Sequence, residues 1–311
     1  MCKVLPCTHL LAKIMFKKLI FFITILIFIP AFANGAILYF KPDSGKYYQD
    51  ETFSVQVMID TEEECINTVQ GEIDFSKDIL EAVNFATGNS ILTIWLEKPK
   101  IDQNLGKISF VGGIPGGYCG PLPGEPGELD LLLKIFFKTK KEGMANLRLS
   151  EESQVLLNDG FGTPAKLTLK AASYEVEPRK DRAKDEWQEE LEKDDIPPES
   201  FEIEINQTPE IFEGKYFIIF STTDKQTGID YYEVKEGKRD WKRGESPYLL
   251  EDQDLKSIIK VKAVDKAGNE RLAEYIPPKK ITWKDWLPWL ILILIVASII
   301  YWLWKIYTKK H

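Results

Sequence analysis

Short stretches in which apolar and polar residues alternate recur through residues 36–176, and turn residues separate them. In TFSVQVMID, every second residue from Phe53 to Ile59 is apolar. A strand presents successive side chains to opposite sides of a sheet, so this pattern predicts strands with one buried face. Many such strands, with no convincing amphipathic helix among them, predict an all-β sandwich of two sheets over residues 34–176.

Two further stretches assign residues to the two sides of a strand. TVQGEIDF places Val69, Ile73 and Phe75 inward, and KISFVGG alternates in the same way around Ile108 and Phe110. The residues predicted to point outward on these strands are Thr68, Gln70, Glu72, Asp74, Lys107 and Ser109. In LDLLLKIFFKTK both sides are apolar, which predicts a strand buried on both faces.

Apolar runs at the two ends of the chain predict export and anchoring. LIFFITILIFIPAFA follows three lysines and ends in Ala31-Phe32-Ala33, which is typical of a signal peptide over residues 1–33. Residues 286–304 carry no charge, have the length of a transmembrane helix and are bordered by aromatic rings. We therefore expect a single-pass membrane protein with external domains and a cytoplasmic tail at 305–311.

Composition excludes several classes of function for the external part. The chain has a net charge of -8, and its leader and tail hold seven lysines and no acid, which leaves about -15 outside. A surface this acidic repels nucleic acid. The two histidines, His9 and His311, lie in the leader and the tail, so histidine-based triads and zinc sites are excluded. We expect no enzyme activity, no catalytic residue, no metal and no cofactor.

Cys65 and Cys119 are the two cysteines of the external part. An even number of cysteines in an oxidising compartment is compatible with a disulfide. Two buried free thiols are the alternative.

Residues 177–205 are rich in acids and contain Pro197-Pro198, which predicts a charged linker with at most a short solvated helix. Residues 206–278 return to a β pattern. Their segments DKQTGIDYYEV and VKAVDKAGNE resemble bacterial immunoglobulin-like or fibronectin-III-like surface repeats, which implies a smaller sandwich acting as a spacer. Calcium binding by Asp224, Asp230 and Asp265 is an alternative without the spacing of an EF-hand loop.

Four segments of the first domain resemble cohesin domains, in matching order. They are LYFKPDSGKYYQDETFSVQVMID, GEIDFSKDILEAV, GELDLLLKIFFKTKKEGMANLRL and LLNDGFGTPAKLTL. The resemblance implies a jelly-roll-like sandwich of nine strands that binds a calcium-loaded dockerin on one sheet face. It makes the outward residues Thr68, Gln70, Glu72, Lys107 and Ser109 candidates for contacting a dockerin-like protein.

Carbohydrate binding is the alternative function, because the superfamily also includes cellulose-binding modules. A polysaccharide site needs exposed aromatic rings on which sugars stack. Tyr47, Tyr48, Trp95 and Tyr118 are the candidates for this role.

Overall fold

The computed structural model describes residues 35–121, 130–179, 183–278 and 283–309, and the predicted signal peptide lies outside these ranges. The described residues form two compact units. Unit 1 ends at Ile196 and also includes Thr223–Gly228, whereas unit 2 comprises Pro197–Thr222 and the chain from Ile229 onward. The predicted boundary at 176/177 therefore differs from the observed one, because the segment after Glu177 packs on unit 1.

Unit 1 is built from twelve strands, and nine were expected. The strands are β1 (Ala36–Lys41), β2 (Ser44–Tyr48), β3 (Thr52–Asp60), β4 (Ile66–Phe75), β5 (Leu80–Ala86), β6 (Ile94–Asp102), β7 (Lys107–Tyr118), β8 (Leu131–Thr139), β9 (Gly143–Leu149), β10 (Gln154–Leu157), β11 (Leu167–Leu169) and β12 (Ala172–Glu177). Several of the additional strands are only three to five residues long. Alternation over so few residues does not separate a strand from a loop.

The strands of unit 1 form two sheets. Sheet A has five strands in the order β11-β1-β3-β8-β5, and sheet B has seven, in the order β2-β12-β9-β4-β7-β6 with β10 paired to β4. Most neighbouring strands are antiparallel, but β11 runs parallel to β1 and β12 runs parallel to β2. The all-β sandwich predicted from the sequence is confirmed.

The core of unit 1 lies between the inner faces of sheets A and B. The predicted inward residues of β3 and β4 are all buried, from Val55 at 0% exposure to Phe75 at 6%. Strand β8 is buried on both faces, as its sequence predicted, because Phe136 is fully covered on the outer side of sheet A.

Helix α1 (Glu186–Lys193) covers this outer side of sheet A. Asp185 caps it by accepting hydrogen bonds from Trp187 N and Gln188 N, both at 3.1 Å. The Trp187 ring packs on the Phe136 ring with centroids 4.7 Å apart. The expected solvated linker helix is therefore a packed element of unit 1.

The described residues of unit 2 form seven strands in two sheets. The strands are β13 (Glu204–Thr208), β14 (Ile211–Ile219), β15 (Ile229–Glu236), β16 (Lys242–Arg243), β17 (Tyr248–Leu249), β18 (Ile259–Asp265) and β19 (Glu270–Tyr275). Sheet C has the order β13-β14-β17 and sheet D the order β16-β15-β18-β19. Buried residues such as Ile218, Val234 and Val261 form its core. The immunoglobulin-like assignment stays a prediction.

Helix α2 (Trp283–Lys309) includes the apolar stretch 286–304. Within the described ranges, no helix meets the length and hydropathy of a membrane span. The predicted transmembrane helix is thus not confirmed.

Candidate partner-binding face

The outer side of sheet B brings all five predicted contact residues onto one surface. We call the outward side chains of β4, β6, β7 and β9 the sheet-B face. Its cross-strand rows follow the register: Thr68, Gly113 and Ile94; Gln70, Val111 and Glu97; Glu72, Ser109 and Lys100; Asp74, Lys107 and Asp102. Inward neighbours such as Val69 and Ile108 are fully buried, so the pleat directs the intervening side chains outward.

An ion pair lies at the centre of the sheet-B face. Lys107 Nζ donates to Glu72 Oε1 and lies 3.9 Å from Asp74 Oδ1. The hydrogen bond from Lys107 holds the pKa of the Glu72 carboxyl below its usual range, and the same bond raises the pKa of Lys107. Both groups are therefore charged at neutral pH, and they can redirect their hydrogen bonds toward a partner.

Thr68 and Gln70 make polar contacts near the edge of the sheet-B face. Gln70 Nε2 donates to the Glu152 carbonyl at 3.5 Å, and Thr68 Oγ1 donates to Asn67 Oδ1 at 3.0 Å. Hydrogen bonds of this kind exchange readily with bonds to a partner or to water. These contacts leave the role of the five residues as a prediction.

Exposed apolar side chains flank the polar centre, and the sequence reasoning missed them. Ile94 is 49% exposed and Met144 is 56% exposed. Ile94 stands beside Gly113, which has no side chain to cover it. The bulge residue Leu96 is 67% exposed at the sheet edge. The alternation of GMANLRL could have predicted that Met144 points outward, since Ala145 is buried and its neighbours are exposed.

On the outer face of sheet A, α1 packs on the central strands β3 and β8. Besides the contact between Trp187 and Phe136, Ser54 N and Oγ donate to Glu186 Oε2 at 2.9 and 2.8 Å, and Lys134 pairs with Glu190 at 2.7 Å. Burial tends to raise the pKa of Glu186, but hydrogen bonds from Lys184 and Ser54 outweigh it and lower the pKa. The Glu186 carboxylate is thus a charged anchor for α1 on sheet A.

The four aromatic candidates for sugar stacking do not form an exposed row. Tyr47 stacks on Phe53 at 3.8 Å, and Trp95 contacts Phe110 edge-on at 6.1 Å. The Tyr118 hydroxyl donates to Asp130 Oδ1 at 2.7 Å, and its ring packs against the core. Tyr48 is half-buried in β2. Carbohydrate binding by these rings stays a prediction that the packing does not favour.

Cys65 and Cys119 form a disulfide with their Cα atoms 4.0 Å apart. The bond joins the residue before β4 to the residue after β7, next to the paired residues Ile66 and Tyr118. The adjacent glycine- and proline-rich segment 122–129 lies outside the described residues. The disulfide therefore fixes one end of the sheet-B face.

The loop between β10 and β11 presents Phe161, which is 89% exposed. Asp159 Oδ1 accepts the Phe161 amide hydrogen at 2.8 Å, and hydrogen bonds from Thr163 and Phe161 lower the pKa of Asp159. Asn158 Nδ2 donates to the Gly116 carbonyl at 3.0 Å, which ties the loop to the end of β7. An aromatic ring this exposed on an ordered loop is a further candidate contact.

Two of the three acidic residues considered for calcium, Asp224 and Asp265, accept hydrogen bonds within their own turns. Within unit 1, Asp224 Oδ2 accepts from Gln226 N at 2.9 Å and from Gly228 N at 2.8 Å. Within unit 2, Asp265 Oδ1 accepts from Asn269 N at 2.8 Å, and Asp230 is exposed. These bonds give the carboxylates a structural role in the turns, and calcium binding stays a prediction.

Comparison with known proteins finds matches among solved structures. No protein-family profile and no curated protein matches the sequence. The matching structures include a non-cellulosomal cohesin from Archaeoglobus fulgidus, with 15% identity, 46% of this chain and 90% of that chain covered, and a TM-score of 0.35. A second is the Coh-OlpC-Doc435 complex from Clostridium thermocellum, with 14% identity, 46% and 93% coverage and a TM-score of 0.36.

A third match is CaCohA2 from Clostridium acetobutylicum, with 13% identity, 46% and 92% coverage and a TM-score of 0.36. These matches are cohesin modules. The Coh-OlpC-Doc435 structure is a type I cohesin–dockerin complex.

Proposed function

We propose that unit 1 is a binding module that docks a folded, dockerin-like protein on the sheet-B face. One observation carries this proposal: α1 packs on the outer side of the central strands β3 and β8 of sheet A, whereas outward residues of sheet B such as Gln70 and Ile94 are exposed. The open face combines an exchangeable polar centre at Glu72 and Lys107 with the exposed apolar residues Ile94 and Met144. Apolar anchors among polar residues are the usual composition of protein-binding surfaces.

The resemblance of four segments of the sequence to cohesins supports a dockerin-like partner in particular.

Calorimetric titration with a panel of calcium-loaded dockerins tests the proposal. We expect at least one dockerin to bind the full-length chain. Ile94→Asp and Lys107→Glu should each weaken that binding ten- to a hundredfold. Ile94→Asp replaces an apolar anchor with a charge, and Lys107→Glu reverses the charge that pairs with Glu72. Lys215→Glu on sheet C is the matched control and should leave the affinity unchanged. The proposal would be refuted if no dockerin of the panel binds, or if neither variant changes the affinity of the dockerin that binds.

We also propose that the module works outside the cell. The disulfide between Cys65 and Cys119 supports this location, because disulfides persist in oxidising compartments. The signal-like leader supports export, and tethering through residues 286–304 remains an expectation from the sequence. Protease added to intact cells should cleave residues 34–285, and full protection of this region would contradict an external location.

A further inference from the structure

Positive charge is concentrated in the hairpin that joins β15 and β16. Five lysines and arginines lie within the nine residues 235–243, in a chain whose net charge is -8. They are Lys235, Lys238, Arg239, Lys242 and Arg243. Such a local excess on an acidic protein is a candidate site for an anionic ligand.

The register of sheet D places part of this charge on its outer face. Glu233 lies opposite Arg243 on β16 and opposite Lys262 on β18, whereas the next residue, Val234, is buried in the core. Lys235 shares the outward side with Glu233, because alternate residues of a strand share a face. We call this surface the sheet-D face.

Trp241 belongs to the sheet-D face. Its ring centroid lies 4.9 Å from Lys262 Nζ and 5.7 Å from Lys235 Nζ. The residue is half-buried, so part of the indole remains in contact with solvent. Tyr231 lies on the same face, and the Arg243 guanidinium stacks on it with Cζ 4.0 Å from the ring centroid.

Two of the cations on this face are not neutralised by carboxylates. Lys262 pairs with Glu233 and Glu270, both at 3.2 Å, and Arg239 and Lys242 pair with Glu251. In contrast, Lys235 and Arg243 form no ion pair with any carboxylate in the described ranges. The aromatic rings attract these two cations but leave their charge uncompensated.

The stacking of Arg243 also directs its donors. The Arg243 guanidinium lies over the Tyr231 ring and forms no ion pair in the described residues, so its N–H groups are available to an acceptor. A carboxylate is the acceptor that matches this fork with two parallel hydrogen bonds. The sheet-D face thus offers a carboxylate-binding fork, a second cation at Lys235 and the flat indole of Trp241.

We propose that the sheet-D face binds an acidic polysaccharide that contains uronic acid units. Uronic acids combine a carboxylate, which the Arg243 fork and Lys235 bind, with a pyranose ring, which packs against the exposed part of Trp241. An acidic peptide supplies the carboxylate without the ring, and a neutral glycan supplies the ring without the carboxylate. This site is separate from the sheet-B face and does not depend on the function proposed for unit 1.

Affinity electrophoresis of the full-length chain through gels containing polygalacturonate tests this site. Parallel gels contain a neutral galactan, which has sugar rings without charge, or polyglutamate, which has carboxylates without sugar rings. We expect polygalacturonate to retard the chain, the galactan to have no effect and polyglutamate to retard it clearly less. Arg243→Gln and Trp241→Ala should each raise the Kd about tenfold, as expected for losing a hydrogen bond to a charged group or a stacking surface.

Lys215→Gln is the matched control, because Lys215 is an exposed lysine on sheet C without an ion pair in the described residues. It removes the same charge and should leave retardation unchanged. Thermal unfolding of each variant shows whether it is folded, and Arg243→Gln changes no buried side chain. Absence of retardation by polygalacturonate, equal retardation by polyglutamate, or equal loss in Lys215→Gln would each overturn the proposal.

Discussion

Gly71 and Gly113 lie on neighbouring strands of sheet B but meet very different surroundings. A Cβ on Gly71 would come within 2.3 Å of the Phe110 ring, which lies across the inner side of β4. Gly113 faces outward, and the nearest atom to a Cβ there is the Asn67 carbonyl oxygen at 3.8 Å. Of these two positions, only 71 requires a residue without a side chain.

The two glycines give a paired prediction at this scale. Gly71→Ala should lower the free energy of unfolding by about 1–3 kcal/mol, because Phe110 has to leave its position in a close-packed core. Gly113→Ala should change it by less than about 0.5 kcal/mol, as is usual at a surface site. Chemical denaturation measures both values, and equal effects would show that Phe110 does not pack on Gly71.

Lys266 gives a prediction about pH. Burial lowers the pKa of Lys266 to about 7, and the Asp230 carboxylate opposes the shift in part. The unfolded chain binds the proton near pH 10, whereas the folded protein binds it only near pH 7, so stability falls as pH decreases between these values. Lys266→Met removes this dependence, and its stability relative to the wild type should rise as pH is lowered from 10 to 7. Denaturation at three pH values checks this, and parallel profiles for the two proteins would contradict it.

At the residue scale, alternation in the sequence predicted which side chains of β3 and β4 are buried, because the period of a strand is fixed by its backbone. It did not predict which outward apolar residues stay exposed. Phe136 and Met144 both point away from the core, yet Phe136 is covered and Met144 is 56% exposed. The difference depends on another element, α1, whose position is not encoded near either residue.

At the element scale, α1 is where the sequence reasoning and the structure differ most. Its charged composition predicted a solvated spacer, since most of its residues are acidic or basic. A single ring, Trp187, and two carboxylates with partners on sheet A are enough to dock it. A helix of eight residues is too short for its apolar periodicity to predict such packing.

Removal of the Trp187 ring tests the docking of α1. Trp187→Ala should increase amide hydrogen exchange of residues 186–193 at least about tenfold, because a short helix without tertiary contacts is only marginally stable. Glu192→Gln, at an exposed position of the same helix, should leave exchange unchanged. Unaltered exchange in Trp187→Ala would mean that the contact with Phe136 does not hold the helix.

At the scale of the whole molecule, two β units were predictable because strands and turns alternate regularly along the chain. The boundary between the two units was not predictable, because it depends on packing between residues more than 120 positions apart in the sequence. The contact of Ser54 with Glu186 is an example. The polar centre of the sheet-B face was predicted from the same alternation. Its apolar anchors on β6 and the exposed ring of Phe161 require the tertiary structure.

The position of the boundary leads to a prediction for fragments. A fragment of residues 34–196 should be more stable than one of residues 34–176, by about 1–3 kcal/mol, because only the longer one keeps Phe136 covered. Urea denaturation of the two fragments measures the difference. Equal stability of the two fragments would mean that α1 does not stabilise unit 1 and belongs to the linker.

The parallel pairing of β1 with β11 and of β2 with β12 has a mechanical consequence. The first strands of unit 1 lie beside its last strands, so tension applied through the two termini pulls parallel neighbours in opposite directions along their length. Their hydrogen bonds are then loaded in shear, all at once, and do not unzip one by one. A module joined in this way resists tension applied along its parallel strands.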